Sequence, residues 1–156
     1  MELDIFEKRI KILNNREGDI LREKYIEKFI NRTKPSYFEL IERMEKFEDG
    51  YCYRGYLWDY MRDPIIIDRN SIQSLSENIN RVYVFWDIHS RERIFIKDYW
   101  KFGKDSVLEL SYKDLMQGEE FLPEDIYIFD CSFDWTIVLT HEDIDGQRYC
   151  LKCGDI

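Results

Sequence analysis

The segment WTIVLTHEDIDGQRYCLKC, residues 135–153, gathers the side chains of this chain best equipped for chemistry. It holds His141, the carboxylates Glu142, Asp143 and Asp145, and the thiols Cys150 and Cys153. A histidine beside a carboxylate is the equipment of general acid–base catalysis. A Cys-x-x-Cys spacing is half of a zinc site, or a redox pair when it opens a helix after a strand. Both readings depend on which way the side chains point. On a regular strand His141 and Glu142 face opposite sides and do not pair, whereas Asp143 shares the face of His141. Thiols three apart on a strand also diverge. A complete metal site would need Cys52, Cys131, His89 or His141 to converge from elsewhere. No metal and no cofactor is expected.

The same segment reads well as a β-hairpin. A three-residue loop Ile144-Asp145-Gly146, with Gly146 in the left-handed conformation, sets Glu142 against Arg148, Leu139 against Leu151 and Ile137 against Cys153. Such pairs stabilise a sheet by roughly 0.2–1 kcal/mol each. The carboxylates then decorate the outside of a ribbon. Asp87, Asp130 and Asp134 close other strands, where carboxylates also serve as turn formers.

Charge is unevenly placed. The net charge is −9, and residues 110–156 hold 11 acidic and 3 basic side chains, whereas residues 50–109 balance at 9 and 9. An acidic end repels phosphate backbones and anionic lipid and attracts basic partners. Nucleic-acid binding is therefore not expected. Familiar reaction signatures (a phosphate-cradling glycine loop, Gly-x-Ser-x-Gly, His-Glu-x-x-His) do not occur.

The elements that must hold these residues follow from periodicity. Leu3, Phe6, Ile10 and Leu13 predict a helix over 3–13, and Leu21, Tyr25 and Phe29 a second over 19–31, started by Asp19 after a break at Asn-Asn-Arg-Glu-Gly. Ser36 and Glu39 form a capping-box pattern for a third helix running to about residue 48. Residues 51–61 are ambiguous between strand and helix, and 65–67 read as a short strand after Pro64. A hairpin is expected from strands 82–88 and 93–99, then a brief helix capped by Ser111 and a strand over 126–130. The four tryptophans, Trp58, Trp86, Trp100 and Trp135, read mainly as core residues.

Helices first and strands second predict an α+β fold, with N-terminal helices packed on a mainly antiparallel sheet from the C-terminal half. One domain over 1–156 is expected, helical over 1–49 and mainly strands over 80–156. No apolar run reaches the ~20 residues of a membrane span. The charged N-terminus lacks a signal peptide's apolar stretch, so a cytoplasmic location with reduced thiols is expected.

The stretch DIYIFDCSFDWTIVLTHED, with its return strand RYCLKC, resembles small bacterial cytosolic proteins, some of them of the toxin-immunity type. The resemblance covers about thirty residues and implies no catalytic motif. Together with the acidic end, it implies a non-enzymatic protein-binding module, an immunity protein that masks a basic toxin. Its expected contacts are Asp130, Asp134, Glu142, Asp143 and Asp145, with Trp135 as an aromatic anchor. The alternative is a small hydrolase or metal-dependent enzyme using His141 or His89 with nearby carboxylates.

Overall fold

The computed structural model describes residues 1–90, 92, 94–99 and 103–156. Of the expected start signals Ser111 is present, whereas the second helix starts from a cap that was not expected. Asn14 caps a helix α2 (Asn15–Phe29), its side chain accepting the Glu17 amide at 2.9 Å. After a one-turn helix α3 (Arg69–Ile72), Ser111 caps α4 (Tyr112–Gly118) through the Asp114 amide at 3.0 Å. The cap of α2 thus lies five residues before the expected Asp19, and Gly18 sits inside the helix.

The N-terminal third is less helical than expected. Helix α1 (Leu3–Arg9) ends early, and Lys11–Ile12 form a strand β1. The third helix shrinks to a single wide turn over Phe38–Glu42, followed by a separate two-stranded ribbon of β2 (Glu45–Phe47) and β3 (Gly50–Cys52). The cause is tertiary. The Leu40 carbonyl, which a continuing helix would give to residue 44, accepts the amides of Arg54 and Gly55 at 3.0 and 2.8 Å. Ser36 does not cap; its hydroxyl bonds that of Tyr60 at 2.8 Å.

Among the described residues, seven strands form one antiparallel sheet. Its order is β1, β6 (Leu108–Ser111), β5 (Arg81–Trp86), β7 (Ile126–Phe129), β8 (Trp135–Ile144), β9 (Gln147–Gly154) and β4 (Ile65–Asp68). The fold class is α+β, as the order of elements suggests. The hairpin expected from 82–88 and 93–99 does not form. Strand β5 is paired on both edges, by β6 and by β7, leaving no place for another partner. The described part of the second arm, residues 94–99, is not strand; Arg91 and Arg93 lie outside the described residues.

Both faces of the sheet are covered. On one, Ile126, Ile128, Ile137, Leu139 and Cys150 pack with Phe6 of α1, Leu115 of α4 and Trp86. On the other, Phe85, Tyr127, Phe129, Val138, Leu151 and Cys153 meet Tyr25 and Phe29 of α2 and the rings of Tyr37, Tyr53 and Tyr60. The four residues of β7 are all buried, which is why that strand reads as an unbroken apolar run. Trp86 and Trp135 are core residues and Trp58 is half-buried; Trp100 lies outside the described residues.

Helix α1 meets α4 where the Phe6 ring packs directly against Gly118. A β-carbon at that glycine would stand 2.2 Å from the Phe6 ring. Gly118→Ala is therefore expected to cost about 1–3 kcal/mol through overpacking, read as a lower urea midpoint with an unchanged slope.

Candidate functional site

The hairpin exists, with a different register. Ile144 pairs with Gln147, so the loop is the two-residue Asp145-Gly146, both at positive φ (53° and 81°). That is the geometry a two-residue hairpin turn demands, and Asp-Gly is its usual sequence. Leu139 faces Cys150 and Ile137 faces Lys152, one residue off the expectation. Between Leu139 and Asp143 the register shifts, and three residues of β8 oppose Tyr149 alone. Arg148 falls opposite Asp143, not Glu142, and its guanidinium donates to the carbonyls of Thr140 and Glu124 at 3.1 and 3.0 Å.

This bulge changes the chemistry of His141. The regular alternation fails there, and His141 turns to Asp125 instead of Asp143. Its Nδ1 lies 3.0 and 2.9 Å from the two oxygens of Asp125, and its backbone amide donates to the same carboxylate at 3.0 Å. Trp58 Nε1 adds a third donor at 3.1 Å. An ionised carboxylate only accepts, so Nδ1 carries the proton and Nε2 of the neutral ring is an acceptor. Glu142 also comes closer than a regular strand permits, with Oε1 3.7 Å from Nε2. That is ion-pair range, too long for a hydrogen bond.

The imidazole opens onto a cleft of about 390 Å³ lined by Tyr56, Glu92, Phe95, Glu120, Leu122, Pro123, Glu124, Asp125 and His141. Tyr56 stands between two histidines, its ring 5.1 Å from His141 and 4.8 Å from His89, and stacks on Trp58 at 5.2 Å. His89 Nε2 is 2.6 Å from the Gly55 carbonyl, and Nδ1 is 3.7 Å from Glu92. Burial would lower the His89 pKa, but Glu92, the Gly55 carbonyl and Asp87 together raise it above its usual value.

Behind the cleft, Asp87 is buried and receives the hydroxyls of Tyr53 and Tyr127, each at 2.7 Å, and the Leu57 amide at 3.0 Å. The Tyr53 hydroxyl also accepts from Arg22 of α2 at 2.9 Å. Asp87 therefore closes β5 as a buried hub and not as a surface turn former.

The other sequence candidates scatter. Asp130 and Asp134 stand at the start of β8 and Glu142, Asp143 and Asp145 near its end, roughly 30 Å away along the strand. Asp130 is spent on its own turn, accepting from Ser132 and from Trp135 Nε1 at 3.0 Å. Trp135 is only 4% exposed, so it cannot serve as the surface anchor expected of it. Cys150 and Cys153 lie on opposite faces of the sheet, and burial pushes both thiols up to about 11. Two such thiols do not share a metal. Among the described residues no group of three or more histidines, cysteines and carboxylates is placed to hold one.

Asp125 and Tyr56 were not singled out from the sequence, and Trp58 was read mainly as a core residue. The available signal was Pro-Glu-Asp ahead of the apolar run IYIF, which sets Asp125 at the mouth of a central strand.

The fold and cleft define an acidic α+β domain whose antiparallel sheet presents a histidine–carboxylate pair at one end. The chain belongs to the family described as a domain of unknown function (DUF4275), which it matches over residues 2–150. The match takes in nearly the whole chain, and the family's description carries neither a bacterial origin nor the toxin-immunity type that the thirty-residue resemblance implied. No curated protein and no solved structure matches it. No helix among the described residues is long and apolar enough to cross a membrane.

The Asp87 hub carries a pH signature. Burial raises its carboxyl from 3.8 to about 6, against the lowering effect of the Leu57 amide and the Tyr53 hydroxyl. The folded state thus binds the proton more tightly than the unfolded chain. The stabilisation is complete below pH 4 and is lost as pH rises through 6. Measured by urea unfolding, the wild type should lose on the order of 2–3 kcal/mol relative to Asp87→Asn between pH 4 and 7.

Proposed function

We propose that the protein is a non-enzymatic protein-binding module that takes a basic partner on the acidic end of its β8–β9 hairpin, most concretely an immunity protein that masks a basic toxin. The observation that supports this reading is the run of exposed carboxylates from the hairpin to the cleft. Glu142, Asp143 and Asp145 lead to His141, and from there to Glu120 and Glu124. No described residue forms an ion pair with the carboxylates of Glu120, Glu124, Asp143 or Asp145. Unpaired charges at a surface rim speed encounter with an opposite surface and set its salt dependence more than its final affinity. Asp130, Asp134 and Trp135 leave the contact surface, for the reasons of placement given above.

The Asp125–His141 geometry favours a second reading. With Nδ1 held by a nearly buried carboxylate, Nε2 is a positioned base able to take a proton from water at the cleft. The described lining contains no serine, threonine or cysteine, so a hydrolase here would use water directly. Turnover of ester or peptide substrates lost on His141→Gln would establish it; hydrolysis no faster than buffer would dismiss it.

The binding reading is tested with protein recovered on the purified chain from cells that carry it, identified by mass spectrometry and assayed on a biosensor. Reversing Glu142 and Asp145 to lysine should slow association by about tenfold at low ionic strength and flatten its salt dependence. Unchanged rates would remove the hairpin as the docking surface.

A further inference from the structure

We infer that the cleft walled by Tyr56, Glu92 and the Asp125–His141 pair is a receptor for a single guanidinium group, presented by an arginine side chain of the basic partner. The inference deepens the binding reading above and rests on it. It is carried by a count of donors and acceptors in a shaped cavity, and negative charge alone would not select this ligand.

The described polar side chains around the cleft are the carboxylates of Glu92, Glu120, Glu124 and Asp125, the imidazole of His141 and the hydroxyl of Tyr56. In the neutral ring, Asp125 holds the proton on Nδ1 of His141 and leaves Nε2 an acceptor. The Asp125 carboxylate is already filled by His141 and Trp58, and apart from the Tyr56 hydroxyl the remaining groups accept hydrogen bonds and offer none. A phosphate, a carboxylate or a sugar hydroxyl array would find too few donors. A guanidinium is their complement, with five N–H donors and no acceptor.

The walls then separate arginine from lysine. Tyr56 lies half-buried against Trp58 and both histidines, so its ring is held in place. A planar, weakly hydrated guanidinium stacks on such a ring, whereas an ammonium gives up more hydration to enter. Leu122 and Pro123 supply an apolar floor for the methylene stem. Glu120 and Glu124 are exposed at the rim and draw the cation in.

The test is an NMR titration of the isotopically labelled full chain with three capped tripeptides, Gly-Arg-Gly, Gly-Lys-Gly and Gly-citrulline-Gly. Saturable shifts at the His141 ring nitrogens and at Tyr56 are expected for the arginine peptide, with a Kd of about millimolar, as befits one side chain. The lysine peptide should bind about fivefold more weakly, and neutral citrulline, which keeps the shape and loses the charge, should give no saturation. The double substitution Glu120→Gln, Glu124→Gln and the single Tyr56→Leu should each weaken the arginine peptide, while amide shifts far from the cleft stay in place and report an intact fold. Equal shifts from the citrulline peptide, or no saturation at His141 and Tyr56 with arginine, would overturn the guanidinium receptor. That failure is distinct from failure of the binding reading. If hairpin reversal still slows association while the arginine peptide does not bind, only the cleft assignment falls. If the arginine peptide titrates as stated while hairpin reversal leaves association unchanged, the cleft stands and the hairpin surface falls.

Discussion

One buried carboxylate decides where the site can be. Asp87 ends β5 inside the protein, and three donors converge on it from different parts of the chain: Tyr53, Leu57 and Tyr127. Through Tyr53 and Arg22 it also reaches α2. A carboxylate left unpaired at that depth would cost several kcal/mol, so the segment 53–58 has little freedom to lie elsewhere. Tyr56 and Trp58 owe their positions to this constraint. Trp58 is fixed twice more, by its amide to the Tyr127 hydroxyl and by its indole to Asp125. The aromatic wall and the histidine–carboxylate pair are therefore two ends of one polar network laid across β5, β7 and β8.

The second constraint is the bulge in β8. Up to Leu139 the strand alternates between two buried faces; beyond Asp143 it is an exposed ribbon. The change from interior to solvent falls within three residues, and those residues include His141. A regular strand would have sent the imidazole and Glu142 to opposite sides. The bulge instead lets the His141 amide and ring close on one carboxylate, as bulges beside functional sites commonly do by re-aiming a side chain. Arg148 steadies the kink by taking the carbonyls of Thr140 and Glu124, which also ties the hairpin base to the rim of the cleft.

What the sequence revealed was mostly local. The cap at Ser111 was legible because a side chain satisfies an amide three residues away, whereas at α2 the cap is Asn14 and the expected Asp19 lies inside the helix. Strand β7 was legible as an apolar run, and the hairpin from its two arms. The third helix misled because Ser36 and Glu39 match a capping box while Ser36 is engaged by Tyr60, twenty-four residues on. The 93–99 arm misled because its composition suits a sheet, yet β5 had already been claimed on both edges by distant strands. Hairpin register was misjudged for a different reason. With Ile137 and Leu139 buried on one face and Val138 and Leu151 on the other, alternation no longer distinguishes inside from outside. The Asp-Gly turn was the better guide.

The histidine was found from sequence, and its partner was not. Asp125 is sixteen residues away from His141 and becomes its neighbour only through the β7–β8 pairing, in which Ile126 meets Leu139. Extending that register by one residue sets Asp125 across from Thr140, and the bulge carries His141 the rest of the way. The acidity of the last third also changes meaning once placed. Asp130 and Asp125 are consumed by internal hydrogen bonds, Asp114 by Arg9 and Glu119 by Arg69. Among the remaining described carboxylates of this third, those without an ion pair are Glu120, Glu124, Asp143 and Asp145 at the hairpin and the cleft rim, and Asp134 and Asp155 at the opposite end of β8 and β9. Clustered like charges repel one another, so keeping them together costs folding energy that a scattered surface would not. The carboxylates of the hairpin and the cleft rim stand beside the Tyr56–Trp58 wall, and it is this juxtaposition of charge and aromatic surface, more than the acidity of the chain, on which the binding proposal rests.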